Sequence, residues 1–394
     1  MIKKSVVLGL VSVGSLGAHA QSSVTLYGLV DAGFAYTNNQ GGASNIQQTS
    51  GKLSGSRWGL KGVEDLGDGL QAVFTLESGF RPSDGGLGQG GRLFGRSAYV
   101  GLGKTGIGTL TFGRQYEPIT DLVAQYSGSG FWSPATHVGD NDNMNQSFRI
   151  NNAVKFRSAT IAGFTADVLY AFSNQANGGA GTGFSNNNAW GVSANYVNGP
   201  LSAGAGYVRL NNPSTTSNTS GAVGGATSTT GNDYSGGFFY GLNGGVRKQQ
   251  IGVAGASYAL GRTTLGFAWS HTQLDYLDGS SRKLNNYDVN GRYQITPAAT
   301  LIGVYTFTDG RANGLPGTGG QTLKPRWHQF TLGFDYALSK RTDIYLSGIY
   351  QLAAGDASTA TSGGYRKIAA ISNIGTASST NRQLAFVSGL RVKF

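Results

Sequence analysis

The sequence predicts an all-β fold, a closed antiparallel β-barrel of about 16 strands standing in a membrane. Three observations carry this. Apolar and polar residues alternate with period two along nearly the whole chain, the connections alternate between short and long, and the N-terminus carries an export signal although no later run of 18 apolar residues could cross a bilayer as a helix.

The export signal comes first in chain order. Lys3 and Lys4 are followed by an apolar, small-residue stretch from Ser5 to Gly17 and then by Ala18-His19-Ala20. Charge, short apolar block and A-x-A site in that order read as a signal peptide over 1–20, with a mature chain, 21–394, starting at Gln21. Such a chain without a membrane helix is periplasmic, secreted or an outer-membrane barrel.

Composition narrows this further. Glycine supplies 65 of 394 residues, more than twice the roughly 7% of ordinary proteins, and charged residues only 12% where about 25% is usual. Cysteine is absent, which excludes disulfides, thiolate metal sites and a cysteine nucleophile. The net charge of +11 falls to +9 once the two leader lysines are removed. No Lys/Arg run exceeds two residues, so no phosphate-tracking patch for nucleic acid is visible.

The strand segments follow in order near 24–37, 52–64, 69–80, 92–102, 107–115, 149–159, 162–173, 189–198, 201–210, 246–259, 263–274, 283–296, 299–308, 324–338, 342–352 and 382–394. Alternation defines each. Phe164, Ala166, Val168, Tyr170 and Phe172 share one face, and Tyr287, Val289 and Tyr293 alternate with Asp288, Asn290 and Arg292. Leu384, Phe386, Leu390, Val392 and Phe394 oppose Arg391 and Lys393. Short turns are expected at 64–68, 103–106, 160–161, 198–200, 260–262, 297–298 and 339–341. Long loops are expected at 38–51, 81–91, 116–148, 174–188, 211–245, 275–282, 309–323 and 353–381. An even strand count with both termini at the short-turn end lets the sheet close, which hydrocarbon demands because it leaves no unpaired backbone edge. A soluble β-sandwich would bury its apolar faces and would not place Tyr36, Tyr170, Phe172, Tyr196, Trp269, Tyr336 and Phe394 at strand ends on the apolar parity, where interfacial girdles lie.

A barrel of ~16 strands leaves an aqueous lumen, so the polar parity faces water. Arg57 and Lys61 on the second strand, Glu77 on the third, Arg96 on the fourth, Arg149, Lys155 and Arg157 on the sixth and Arg292 on the twelfth belong to it. Arg114 breaks parity with Leu110 and Phe112. Loop 116–148 carries Glu117, Asp121, Asp140 and Asp142 and no basic residue. Folded inward, it would set carboxylates opposite the lumen cations, and the basic excess would favour anions. On the fourth strand, Gly95, Ser97, Tyr99 and Gly101 are read as an outward stripe suited to close subunit packing.

Enzyme signatures are weak. His137, His271 and His328 have no partner at metal-ligand spacing, and neither a nucleophile elbow nor a Walker loop occurs. No metal, cofactor or catalytic residue is assigned. A barrel protease or phospholipase, a plugged structural or adhesin barrel, and a substrate-specific channel are the rival readings. The last would need a run of lumen aromatics that parity does not provide.

Several stretches together resemble the general bacterial porins of the Gram-negative outer membrane, most of all the anion-preferring porins of betaproteobacteria. They are SSVTLYGLVDAG (22–33), SRWGLKGVEDLGDGLQAVFTLESGF (56–80), FGRSAYVGL (94–102), GTLTFGRQ (108–115), LSKRTDIYL (338–346) and the terminal GLRVKF (389–394). The resemblance implies a homotrimer of 16-stranded barrels in the outer membrane. The third extracellular loop, 116–148, would constrict each pore. Arg57, Arg96 and Arg149, with Lys61 beside them, would form the basic wall, and Arg114 in FGRQ matches a recurrent arginine. Glu117 and Asp121, then Asp140 and Asp142, with Glu77, would form the acidic side, although the P-E-F-G-G run of the enteric loop is missing. It implies passive diffusion of small hydrophilic solutes and ions, anionic or neutral. The implied partners are outer-membrane lipids, lipopolysaccharide and the barrel-assembly machinery, which would read Phe394.

Overall fold

The structure, a computed structural model, describes residues 22–179, 181–224, 234, 238–361 and 364–394. The signal peptide and the mature N-terminus at Gln21 lie outside the described residues. The strands are β1 (Ser23–Gln40), β2 in two halves (Ala43–Ser50 and Arg57–Gly67), β3 (Leu70–Gly79), β4 (Ser97–Lys104), β5 (Gly108–Gln115), β6 (Ile150–Ser158), β7 (Phe164–Ala171), β8 (Asn188–Asn198), β9 (Leu201–Asn211), β10 (Val246–Leu260), β11 (Thr263–Tyr276), β12 (Ser281–Gln294), β13 (Ala299–Asn313), β14 (Pro325–Ala337), β15 (Thr342–Gly355) and β16 (Arg382–Lys393). Each pairs antiparallel with its chain neighbours, and β16 returns to β1 through a register running from Leu29↔Lys393 to Thr37↔Ala385. The result is a closed 16-stranded antiparallel barrel. At this seam Gly33 permits close approach, since a Cβ there would lie 1.9 Å from the Ser388 carbonyl oxygen. The chain terminus completes the seam. Phe394 and Gly28 exchange both backbone hydrogen bonds at 3.0 Å.

Alternation resolves into two chemically distinct walls. On β12, Arg282, Asn286, Asp288 and Asn290 are buried inside, whereas Tyr287 and Val289 are exposed on the outside. Leu26, Phe34, Val100, Phe267, Leu332 and Phe386 continue the outer apolar surface around the barrel. That exposure is stable only against lipid or another apolar face.

The sequence reading needs two corrections here. The expected loop 38–51 is a tight hairpin. Gly41 and Gly42 both have positive φ, as two-residue turns require, and 43–50 is strand. The real interruption lies between Ser50 and Arg57, inside the segment read as the second strand. Ala32↔Ser50 and Leu29↔Arg57 remain paired, so 51–56 bulges from the ladder opposite Val30 and Asp31. Gly51, Ser54, Gly55 and Ser56 are the turn chemistry that permits this. Asp31 pins the bulge. Its carboxylate accepts from the Leu53 and Ser54 backbone N–H groups (3.1 and 2.7 Å) and from Tyr345 Oη (2.7 Å). Its own N–H donates to Ser56 Oγ (2.9 Å), and Arg391 Nη1 donates to Ser54 Oγ (2.8 Å).

The second correction concerns β4. Its outward residues are Val100 and Leu102, paired with Phe112 and Leu110 of β5, while Ser97, Tyr99 and Gly101 face inward. The small-residue stripe therefore belongs to the lumen and gives no support to subunit packing. The slip came from starting the strand at 92, whereas regular pairing begins at Ser97.

Asp31→Asn keeps the side-chain size but removes the charge accepting these bonds. It should lower the thermal denaturation midpoint of the folded barrel, by the equivalent of about 1–3 kcal/mol. An unchanged midpoint would show that the bulge holds without its carboxylate.

Candidate functional site

The site is built where loop 116–148 meets the inner wall. The loop carries two short helices, α1 (Pro118–Leu122) and α2 (Gly128–Phe131), and packs against inward-facing residues of the wall. Small wall residues make room for it. A Cβ on Gly255 would come within 2.7 Å of Tyr126, and one on Gly333 within 2.6 Å of the Trp132 ring. Polar wall residues then meet its backbone carbonyls and one side-chain donor. Ser193 Oγ donates to Pro118 O (2.8 Å), Asn290 Nδ2 to Tyr126 O (2.9 Å) and Gln329 Nε2 to Thr136 O (3.0 Å). Trp132 Nε1 donates to Ser347 Oγ (3.1 Å). These bonds explain why so many inward polar residues are buried.

The firmest attachment is a histidine that sequence spacing did not single out. His137 Nδ1 lies 2.7 Å from Asp142 Oδ2 in the loop, and its Nε2 lies 3.1 Å from Asp288 Oδ2 on β12. Ser127 Oγ and the Gly128 N–H also donate to Asp288 (2.9 and 3.0 Å). Burial alone would lower the His137 pKa, but Asp142 and Asp288 outweigh it and push it up to about 10. The imidazolium thus ties loop to wall. Ser127 Oγ at 3.2 Å from Nε2 imitates a hydrolase relay. With both ring nitrogens engaged by carboxylates and all these groups buried, it offers neither a free base nor an accessible nucleophile.

The acids sort into different jobs. Glu117 caps α1, accepting from the Thr120 N–H (2.9 Å), Thr120 Oγ1 (2.7 Å) and Asn143 Nδ2 (2.9 Å). Burial pushes its carboxyl up to about 8 against those hydrogen bonds. Asp140 closes a turn through the Asn145 and Ser147 N–H groups (2.9 and 3.1 Å), and burial, with Asp142 nearby, pushes it up to about 6. Burial would raise the Asp142 carboxyl too, but His137 and donated hydrogen bonds hold it below the usual range. These three are buried inside the loop packing. Asp121 contacts Lys155 Nζ and Arg157 Nη2, and Arg157 is held in turn by Asp167 (2.6 Å). Glu77 sits on the basic wall itself, accepting from Arg96 Nε (2.7 Å) and Tyr27 Oη (3.0 Å). Of the expected loop acids, Asp121 faces wall cations across a cavity, whereas Glu117, Asp140 and Asp142 are engaged by donors within the packed loop and its wall.

The cations gather instead. Arg57, Arg96 and Arg149 line one cavity of about 500 Å³, together with Lys52, which the bulge 51–56 presents. No Asp or Glu lines it. Tyr116 spaces the arginines. Arg149 Nη2 donates to Tyr116 Oη (2.9 Å) and stacks 4.9 Å from its ring, with Arg96 at 5.9 Å. Arg96 lies just ahead of β4, held in register because its N–H donates to Glu77 O (3.1 Å). Lys61 lines a second cavity of about 350 Å³ with Lys155, Arg157 and Asp121. Arg292 lies 4.5 Å from the Phe131 ring. Arg114 sits at a ladder irregularity between Gly113 and Gln115, which explains its broken parity, and its Nε donates to Gly95 O (2.8 Å). Lys52 and Asp31 were missed because 52–64 was read as one unbroken strand. The paired glycines at 51 and 55 were the signal.

Three comparisons place this architecture. The family model described as Gram-negative porin matches residues 5–352. An outer membrane porin protein of Bordetella pertussis is 32% identical, over 89% of this chain and 94% of its own. Among solved structures, the anion-selective porin from Comamonas acidovorans superposes with a TM-score of 0.71 at 26% identity, covering 95% of this chain and 100% of that one. The trimer form of OmpT from Vibrio cholerae superposes with a TM-score of 0.65 at 17% identity over 95% and 99%, which speaks to fold alone.

Two outcomes follow from the loop's attachment. His137, ordinarily near 6.5 and held charged to about 10, stabilises the docked loop fully below pH 6.5, and that contribution is lost as pH rises to about 10. The thermal midpoint should fall across this interval, and His137→Gln should flatten it; a slope that survives the substitution would assign it to other groups. Gly333→Leu should drive a side chain into Trp132 and destabilise the barrel by about 1–3 kcal/mol, readable as a lowered midpoint with altered tryptophan emission.

Proposed function

This chain belongs to the Gram-negative porin family, and from that premise we propose that it is an anion-preferring diffusion pore whose basic wall is Lys52, Arg57, Arg96 and Arg149. It is an outer-membrane porin, a passive channel for small hydrophilic solutes. The observation that carries the selectivity is the composition of the 500 Å³ cavity: four cations line it without a carboxylate, and the nearby Glu77 is spent on Arg96. Desolvated wall charges act on a passing ion far more strongly than charges in bulk water, so chloride, phosphate or a small carboxylate is drawn in while cations are repelled. Held by fixed backbone rather than by a closing pocket, such ions leave as readily as they enter. Loop 116–148 narrows the lumen in this reading, and Asp121 with Lys61, Lys155 and Arg157 forms the next stage along the path.

The working unit we infer is a homotrimer, the state that the resemblance to the general porins implies. The exported chain would be handed to the barrel-assembly machinery, with Phe394 as its terminal signal; its ring is half exposed on the outer wall. The outer apolar face would meet membrane lipids, including lipopolysaccharide.

Reversal potential in a planar bilayer under a KCl gradient tests the reading. The unmodified protein should be anion-selective. Arg57→Glu should reduce or invert the preference, and Lys52→Gln should weaken it by a smaller step. Both effects should shrink towards 1 M salt, where the Debye length is about 3 Å. Cation selectivity of the unmodified protein would overturn the basic wall, and absence of conductance from folded barrels would overturn the open pore.

A further inference from the structure

The two cavities lined by cations lie one behind the other, and one side chain serves both. Arg57 precedes Lys61 along β2, and Arg149 precedes Lys155 along the segment that becomes β6. The first cavity therefore lies nearer the long loops and the second nearer the short turns. Tyr116, the residue that follows β5, stands between them. Its ring meets Arg149 at 4.9 Å and Arg96 at 5.9 Å, both of which line the first cavity, while Tyr116 itself lines the second. Its backbone carbonyl accepts from Lys155 Nζ (3.0 Å), which ties the residue to the wall of the second cavity as well.

The hydroxyl is only half committed. A phenol has one hydrogen to donate and an oxygen that accepts. Tyr116 Oη accepts from Arg149 Nη2 (2.9 Å), so its own hydrogen points elsewhere. Among the described residues no acceptor takes that hydrogen. Glu77, the carboxylate of this cluster, already accepts from Arg96 Nε (2.7 Å) and Tyr27 Oη (3.0 Å). An oxygen that accepts from a guanidinium is polarised into a stronger donor through its own hydrogen. Tyr116 is part-buried, and it presents this O–H at the passage from one cavity to the next.

Resting on the anion-preferring reading above, we propose that the Tyr116 hydroxyl is a specificity-determining donor, hydrogen-bonded to each anion as it steps from the first cavity to the second. At long range the surrounding cations act alike on all anions of one charge. A single O–H in a fixed place adds a directional contact whose strength depends on how well the anion accepts. Small carboxylates, which accept strongly, then pass in preference to monovalent anions that accept weakly, such as perchlorate.

The same group ties selectivity to pH. Burial would raise the phenol pKa, but Arg149 and Arg96 outweigh it and hold it below the ordinary 10.0. Once the phenol is deprotonated the donor is gone, and a negative charge stands among Arg57, Arg96 and Arg149. Glu77 is beside it, and Lys61, Lys155, Arg157 and Asp121 face it across the second cavity. Anion preference therefore falls as the solution becomes alkaline.

Reversal potentials in a planar bilayer, under gradients of potassium formate, perchlorate or chloride, test this on the unmodified protein and on Tyr116→Phe, which keeps the ring and loses the donor. The substitution should lower the permeability of formate relative to perchlorate by about three- to tenfold, the worth of one hydrogen bond, with potassium chloride still giving an anion-selective potential. Between about pH 7 and about pH 10 the unmodified protein should lose anion preference more steeply than Tyr116→Phe, in which only the lysines and His137 titrate. An unchanged formate-to-perchlorate ratio would overturn the donor. A loss of chloride preference with that ratio intact would make Tyr116 a spacer for the arginines and overturn it too, as would parallel alkaline declines in the two proteins. Failure of the pore reading would show separately, as cation selectivity or absent conductance in the unmodified protein.

Discussion

Everything in this molecule depends on pairing the backbone where no water can reach it. A strand in hydrocarbon must have every N–H and C=O bonded to a neighbour, so the sheet has to close. The seam between β1 and β16 is where closure is achieved, and the last residue of the chain takes part in it through its bonds to Gly28. Closure has a second consequence. Once the ladder satisfies the backbone, side chains are free to be apolar outside and polar inside, and a polar interior can hold charges that no ordinary core would tolerate.

That freedom is used unevenly. Many inward polar groups serve loop 116–148, whose short helices leave several backbone donors and acceptors without helical partners. The wall answers them residue by residue, with Ser193, Asn290, Gln329 and Ser347 meeting particular atoms, and with Asp288 meeting the charged His137. The loop acids follow the same logic. A carboxylate folded among backbone N–H groups is worth more as a cap or a turn closure than as a field source, so Glu117, Asp140 and Asp142 are drawn into the packing.

Period-two alternation made the barrel legible in the sequence, because its walls face different solvents and a one-residue slip would be visible throughout a strand. The errors arose where local chemistry overrides that period. On β4 the boundary was placed too early, so Gly95, Ser97, Tyr99 and Gly101 were assigned to the wrong face. On β2 the bulge 51–56 hid inside an apparently continuous strand, and with it Lys52 and the role of Asp31. That Arg57, Arg96 and Arg149 would gather around one cavity was readable because they lie on or beside regular strands. The acidic side was not, because a loop has no period and its side chains go wherever donors lie. His137 was invisible for a related reason: its partner Asp288 is 151 residues away, and only the folded wall brings them together.

The arginine cluster then poses an energetic question of its own. Three guanidinium groups and an ammonium around one cavity repel each other, yet only Arg96 is given a carboxylate. Tyr116 separates two of them with a ring face that attracts both, and Arg149 gains a hydrogen bond from the same side chain. Asp31 braces from behind the bulge that carries Lys52, through the Leu53 and Ser54 backbone N–H groups. The supporting groups therefore position the cations while leaving the cluster with a net positive charge. Water and mobile anions are what remain to neutralise it, and an anion that does so is already inside the channel. In the proposed reading, the repulsion among the arginines, tolerated by the fold because closure and loop packing carry its stability, is the same quantity that draws the solute in.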